Sequence, residues 1–104
     1  MRYKTPLTVS ACFHAQQCAE KYLKALLVAK GQTFPKTHDL PALSTLCAQA
    51  GVLVEVSPAQ LGTLSLYAVQ GRYPGGEPTL VEAKEAVGIA RTVRRFARRV
   101  LGVQ

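Results

Sequence analysis

The stretch from Ser10 to Lys30 contains neither glycine nor proline, is rich in Ala, Gln, Leu and Lys, and runs straight into Gly31. A segment of that length and composition is predicted to be an α-helix closed by a left-handed glycine cap. Within it Cys12, Ala15, Ala19, Tyr22, Leu23, Leu26 and Leu27 recur at three- and four-residue steps, which makes a buried stripe. His14, Gln17, Lys21 and Lys24 align on another face, and Glu20 and Lys24 are spaced for an i,i+4 ion pair.

A helix with one apolar stripe needs partners, and the rest of the chain supplies more helices. Pro35 keeps Gln32 to Lys36 out of helix, and Thr37 or Asp39 offers an oxygen to cap a second helix from about Leu40 to Ala50, with Pro41 in its first turn. Leu40, Leu43, Leu46, Cys47 and Ala50 form its apolar face. Val52 to Val56 is β-prone, but a lone five-residue strand has nothing to pair with and is read as a loop. Ser57-Pro58 then opens a third helix through Leu61, Leu64, Ala68 and Val69 that fades near Gly71. After an irregular loop from Arg72 to Pro78, Thr79-Leu80-Val81-Glu82 matches a capping box and starts a last helix reaching about Leu101. Val81, Ala86, Ala90, Val93, Ala97 and Val100 mark its apolar stripe, with Lys84, Arg91, Arg95 and Arg98 on a separate basic one. The prediction is one all-α domain, an up-and-down antiparallel helical bundle.

Composition narrows the function classes. With 48% hydrophobic and 18% charged residues in 104, the chain is too apolar for disorder and has apolar surface to spare for an interface. Thirteen Lys and Arg against six Asp and Glu give +7, and Arg91, Arg94, Arg95, Arg98 and Arg99 fall in the last 14 residues with no acid among them. That concentration attracts phosphates, acidic proteins or anionic lipid, unless it is only a solvated helix face. Cys12, Cys18 and Cys47 make neither a disulfide framework nor a zinc motif, so reduced thiols in a cytoplasmic protein, without metal or cofactor, are expected. No apolar run is long enough to span a bilayer.

The segment Cys12-Phe13-His14-Ala15-Gln16-Gln17-Cys18-Ala19-Glu20-Lys21-Tyr22-Leu23-Lys24-Ala25-Leu26-Leu27 resembles the signature helix of the HEPN (higher eukaryotes and prokaryotes nucleotide-binding) family. Thr37-His38-Asp39-Leu40 is similar to the start of that family's next helix, and Tyr67 with Arg72-Tyr73-Pro74 is similar to its helix-end Arg-Tyr-Pro element. The resemblance implies a four-helix bundle, commonly dimeric, often encoded beside a minimal nucleotidyltransferase and associated with nucleotide or RNA binding. Some members are metal-independent ribonucleases, several of them toxins, that use an Arg followed after four to six residues by His. Here Glu77, Pro78 and Thr79 stand where that His belongs, and no histidine follows Arg72. The family's bundle also begins with a long helix ahead of the signature helix, whereas nine residues precede Ser10 and Pro6 interrupts them.

No catalytic residue is assigned. The candidate ligand-binding residues are His14, Gln17, Lys21 and Lys24, which suit a nucleotide phosphate or ribose but equally a solvated face or dimer seam. His38 joins them, with a helix-start hydrogen-bond network as its other reading. Arg72 and Tyr73 are suited to forking onto phosphate and stacking on a base, or to tying down a loop. Arg91, Arg95 and Arg98 are candidate nucleic-acid contacts. With one flank of the core left open by the short N-terminus, a homodimer built on the signature helix and the C-terminal helix is expected. The function expected is a non-catalytic module binding nucleotide, RNA or a partner nucleotidyltransferase; the alternative is a ribonuclease with a non-standard catalytic set.

Overall fold

Proline stands at the first or second position of three of the helices, where its missing N–H costs nothing because the first turn has no acceptor for it. The computed structural model describes residues 6–68 and 76–102. In order these form α1 (Pro6–Ala29), α2 (Leu40–Gln49), α3 (Pro58–Ser65), a 3₁₀ turn (Leu66–Ala68) and α4 (Leu80–Leu101). All regular structure among the described residues is helical.

Side-chain caps fix where the later helices begin. Asp39 accepts from the Ala42 N–H, and Ser57 and Thr79 each make a reciprocal capping box, with Gln60 and Glu82 respectively. The glycine at the end of α1 does the converse: Gly31 takes φ 72°, so the Gln32 N–H reaches the Leu27 carbonyl at 2.9 Å.

Pro6 does not interrupt the first helix. It opens it, four residues ahead of the expected start at Ser10, because proline's fixed φ is already helical there. Residues 6–9 therefore lengthen α1 and do not fold back over the open flank.

The core is one cluster. Cys12, Ala15, Ala19, Leu23, Leu26 and Leu27 of α1 meet Leu40, Leu43 and Cys47 of α2, Leu61 and Leu64 of α3, and Ala86, Ala90, Val93 and Ala97 of α4. Val52 and Val56 add their side chains from the loop, without a strand. Two positions of the expected α4 stripe do not belong to it: Val81 is 76% exposed and Val100 40% exposed, while Ala83, Ile89 and Phe96 are buried in their stead. The true buried face of α4 is rotated, since the helix packs chiefly on α1 and none of the described residues covers Val81 in its first turn.

The relative directions of the helices shape the surface. Leu7 lies by Leu80 and Cys18 by Arg94, so α1 and α4 run side by side in the same sense. Against this pair α3 runs down the molecule, from Ser57 to a buried Tyr67 whose hydroxyl bonds with Cys12 near the start of α1. The stretch 30–39 also returns in extended form and brings His38 back to Glu20 in the middle of α1. The molecule is long and thin, 48 × 27 × 18 Å, about two helices deep.

Candidate functional site

Of the three buried polar residues of α1, Thr8 lies on its outer side near α4, and Gln16 and Glu20 lie on its inner side among apolar ones. A buried carboxylate is tolerable only when fully partnered, and this one is. Lys24 Nζ donates to Glu20 Oε2 at 2.8 Å, and the His38 Nδ1–H donates to Oε1 at 2.7 Å. Gln16 Nε2 donates to Oε1 at 3.1 Å and to the His38 carbonyl at 3.2 Å. Burial pushes the Glu20 carboxyl up, but these donors outweigh it and hold the group below its ordinary value. Ser65 closes the knot by accepting from the Leu40 N–H at 2.8 Å and donating to the His38 carbonyl. The clamp ties α1, the connector and the end of α3 together. The His38 side chain stays 60% exposed beyond its Nδ1 contact.

The outer side of α1 differs in kind. Between it and α4 runs an open groove of about 600 Å³ beside Leu7, Ala11, Ala83, Val87 and Gly88, continuing into a smaller one of about 300 Å³ beside Ala15, Cys18 and Ala90. Ala11, Ala83 and Gly88 line it together with Val87 and the buried Thr8, and Leu7 (77% exposed) and Leu80 (62%) stand uncovered by the described residues at one end. Lys84, Arg91, Arg94 and His14 edge it. Farther along the same seam the guanidiniums of Arg98 and Arg94 beside the Tyr22 phenol draw it below its ordinary pKa.

Of the five arginines at the end of α4 only Arg99 has an acidic partner among the described residues, Glu55 at 2.7 Å, on the surface. Burial pushes all three thiols up, and Cys12, Cys18 and Cys47 are free, so none is an activated nucleophile. No group of His, Cys, Asp and Glu among the described residues is arranged to hold a metal.

The family model of the HEPN domain matches residues 3–100, almost the whole chain. The chain belongs to the HEPN family. Neither a curated protein nor a solved structure gives a significant match. The HEPN assignment carries a nucleotide- or RNA-related function at the level of the family.

Within this HEPN domain the expected binding face of α1 is divided. His14 and Lys21 are exposed on the groove side, whereas Lys24 is taken up by Glu20 and lies over the Phe34 ring at 5.1 Å, and Gln17 bonds to Gln16 at 2.8 Å. The four residues do not form one site. The reason is that Glu20, one helical step from Gln17 and Lys24, recruits that edge of the face into the clamp. The His38 side chain is partnered by Glu20, its carbonyl joins the start of α2 through Ser65, and Asp39 caps α2 separately. Arg91 and Arg95 are exposed on α4 and Arg98 is half-buried at Tyr22. Arg72 and Tyr73 lie outside the described residues.

Gln16 and Glu20 escape a reading of the sequence as a site. Two polar residues four apart on an otherwise apolar stripe are the signal that a partner lies elsewhere in the chain. Arg94 and Gly88, which border the groove, are legible only as one cation in a basic tail and one helix-weakening residue.

Proposed function

We propose that this HEPN domain is a non-catalytic cytoplasmic module that binds nucleotide or RNA phosphates along the Arg91–Arg95–Arg98 stripe of α4. The observation that carries this reading is the run of arginines at one end of a single helix, with no acidic partner for Arg91, Arg95 or Arg98 among the described residues. Uncompensated cations on a rigid helix face suit a phosphodiester backbone, and such binding is salt-dependent and weakly sequence-selective. Fluorescence anisotropy with a labelled single-stranded RNA at low salt tests it. Binding that weakens steeply with added salt supports the reading, and no binding at low salt ends it.

A second reading is favoured by the open seam between α1 and α4. An apolar groove of that length on a small protein is a surface for another chain, either a second copy, giving a homodimer, or a minimal nucleotidyltransferase encoded nearby. Light scattering and co-expression with the neighbouring gene product distinguish these. The ribonuclease alternative would rest on His38, held through Nδ1 by a buried carboxylate in the manner of an oriented acid or base. Transfer RNA and messenger RNA left intact by stoichiometric protein over hours would remove it.

A further inference from the structure

The groove between α1 and α4 has three properties that together specify an occupant. Its walls are two helices pointing the same way, several of its lining residues are small, and the charges around it are of one sign. We infer that it receives an amphipathic helix of a different protein, running antiparallel to both walls and carrying acidic residues beside its apolar face. This rests on the reading that a protein chain covers the seam, and it names the chemistry of that chain.

Each property contributes separately. A helix laid antiparallel between two parallel ones restores the up-and-down arrangement of a bundle, and the distance from Leu7 to Cys18 along α1 gives it about 17 Å, or three turns, of contact. Ala11, Ala15, Ala83 and Gly88 present almost no side chain, so a backbone can approach closely and fill the groove with its own larger apolar residues. Gly88 is the smallest of them. A glycine in mid-helix weakens α4, and yet a Cβ added there would meet nothing within 4 Å among the described residues. The room it leaves suits a visitor from outside.

The charges select among visitors. Lys84, Arg91, Arg94 and His14 edge the groove, and none of the chain's six acids does. Glu20 is buried under Lys24 and His38, Asp39 and Glu82 cap helices, Glu55 pairs with Arg99, and Glu77 and Glu85 are not among the lining residues. A second copy seated by a two-fold axis would therefore set the same cations against each other, since antiparallel pairing brings matching flanks together. Nucleic acid would satisfy the cations but leave the apolar floor uncovered. Acidic residues flanking an apolar stripe satisfy both.

The test uses the intact protein and two labelled helical peptides of about 18 residues, long enough for the three turns of contact, that share a Leu/Ala face and differ only in having Glu or Lys at the flanking positions. The Glu peptide is expected to bind at least about tenfold more tightly, with an affinity that falls as salt rises. Lys84→Glu with Arg94→Glu is expected to reverse the preference. Gly88→Leu fills the groove and is expected to abolish peptide binding while the thermal midpoint stays at or above that of the parent, which separates blockage from misfolding. Equal affinity for the two peptides, no effect of Gly88→Leu, or no reversal in the charge-swapped protein overturns the inference. Sedimentation equilibrium supplies the remaining arm: a dimer that Gly88→Leu dissociates and that excludes both peptides shows that the seam is covered by a second copy, which sinks the acidic helix while the covered-seam reading survives. RNA binding, measured on Arg95→Ala with Arg98→Ala, reports on the stripe alone.

Discussion

The two sides of α1 offer a comparison within one helix. Toward α2 and α3 it is closed: leucines interlock, and the two polar residues, Gln16 and Glu20, are bonded to His38, Lys24 and a backbone carbonyl. Toward the outer edge of α4 it is open, with alanines, exposed Leu7 and a cationic border. One helix thus carries the specificity of the fold on one side and a surface free for recognition on the other. A buried, charge-bearing clamp adds little net stability compared with an apolar core, but it fixes where the connector sits, because half-satisfying it is expensive.

The contrast is sharpest at Glu20. Glu20→Ala leaves Gln16 with the His38 carbonyl as its remaining acceptor and takes the carboxylate partner from the Lys24 and His38 side chains, and is expected to cost about 3 kcal/mol in urea denaturation. Leu7→Ser, on the open side, is expected to change stability by less than about 0.5 kcal/mol. A similar loss at both positions would erase the distinction between the two sides.

The same carboxylate gives a pH signature. Its folded-state pKa lies below the ordinary value of 4.5, so its contribution is fully present above that pH and is lost as the pH falls through the folded value. Stability measured from about pH 7 down to about pH 3 is expected to decline below about 4.5, and less steeply in Glu20→Gln, whose side chain does not titrate. Parallel curves for the two proteins would place the acid sensitivity elsewhere.

Smaller effects belong to α4, which joins the two sides. Thr79→Ala removes one half of a capping box and is expected to cost about 1 kcal/mol. Gly88→Ala is expected to raise stability by about 0.5–1 kcal/mol, because a side chain there meets none of the described residues. A destabilising Gly88→Ala would mean that the position is packed already.

How far the sequence reveals these two sides depends on the range of the interactions involved. Asp39, Ser57 with Pro58, and Thr79 with Glu82 announce helix starts because a cap acts within three residues. The reciprocal role of Gln60 in the Ser57 box is equally local, although Pro58 is the more conspicuous signal there. The Glu20–His38 contact spans 18 positions, and no local rule reaches that far. Likewise the groove is lined by residues far apart along the chain, Leu7 with Leu80 and Cys18 with Arg94, and whether Val81 is buried depends on a neighbour that the described residues do not provide. The HEPN resemblance locates the bundle and its signature helix, but it does not say which edge of that helix the clamp consumes.

The most direct measurement of the central claim is the salt dependence of RNA binding for the parent protein and for Arg91→Ala with Arg95→Ala and Arg98→Ala. Log affinity against log salt concentration changes by about 0.7 per phosphate neutralised on single-stranded RNA, so removing three cations from the stripe is expected to flatten the slope by about 2. Affinity at low salt should fall with it, uniformly across RNA sequences. An unchanged slope in the triple variant, with RNA still bound, would contradict the account and move the nucleic-acid contact away from α4.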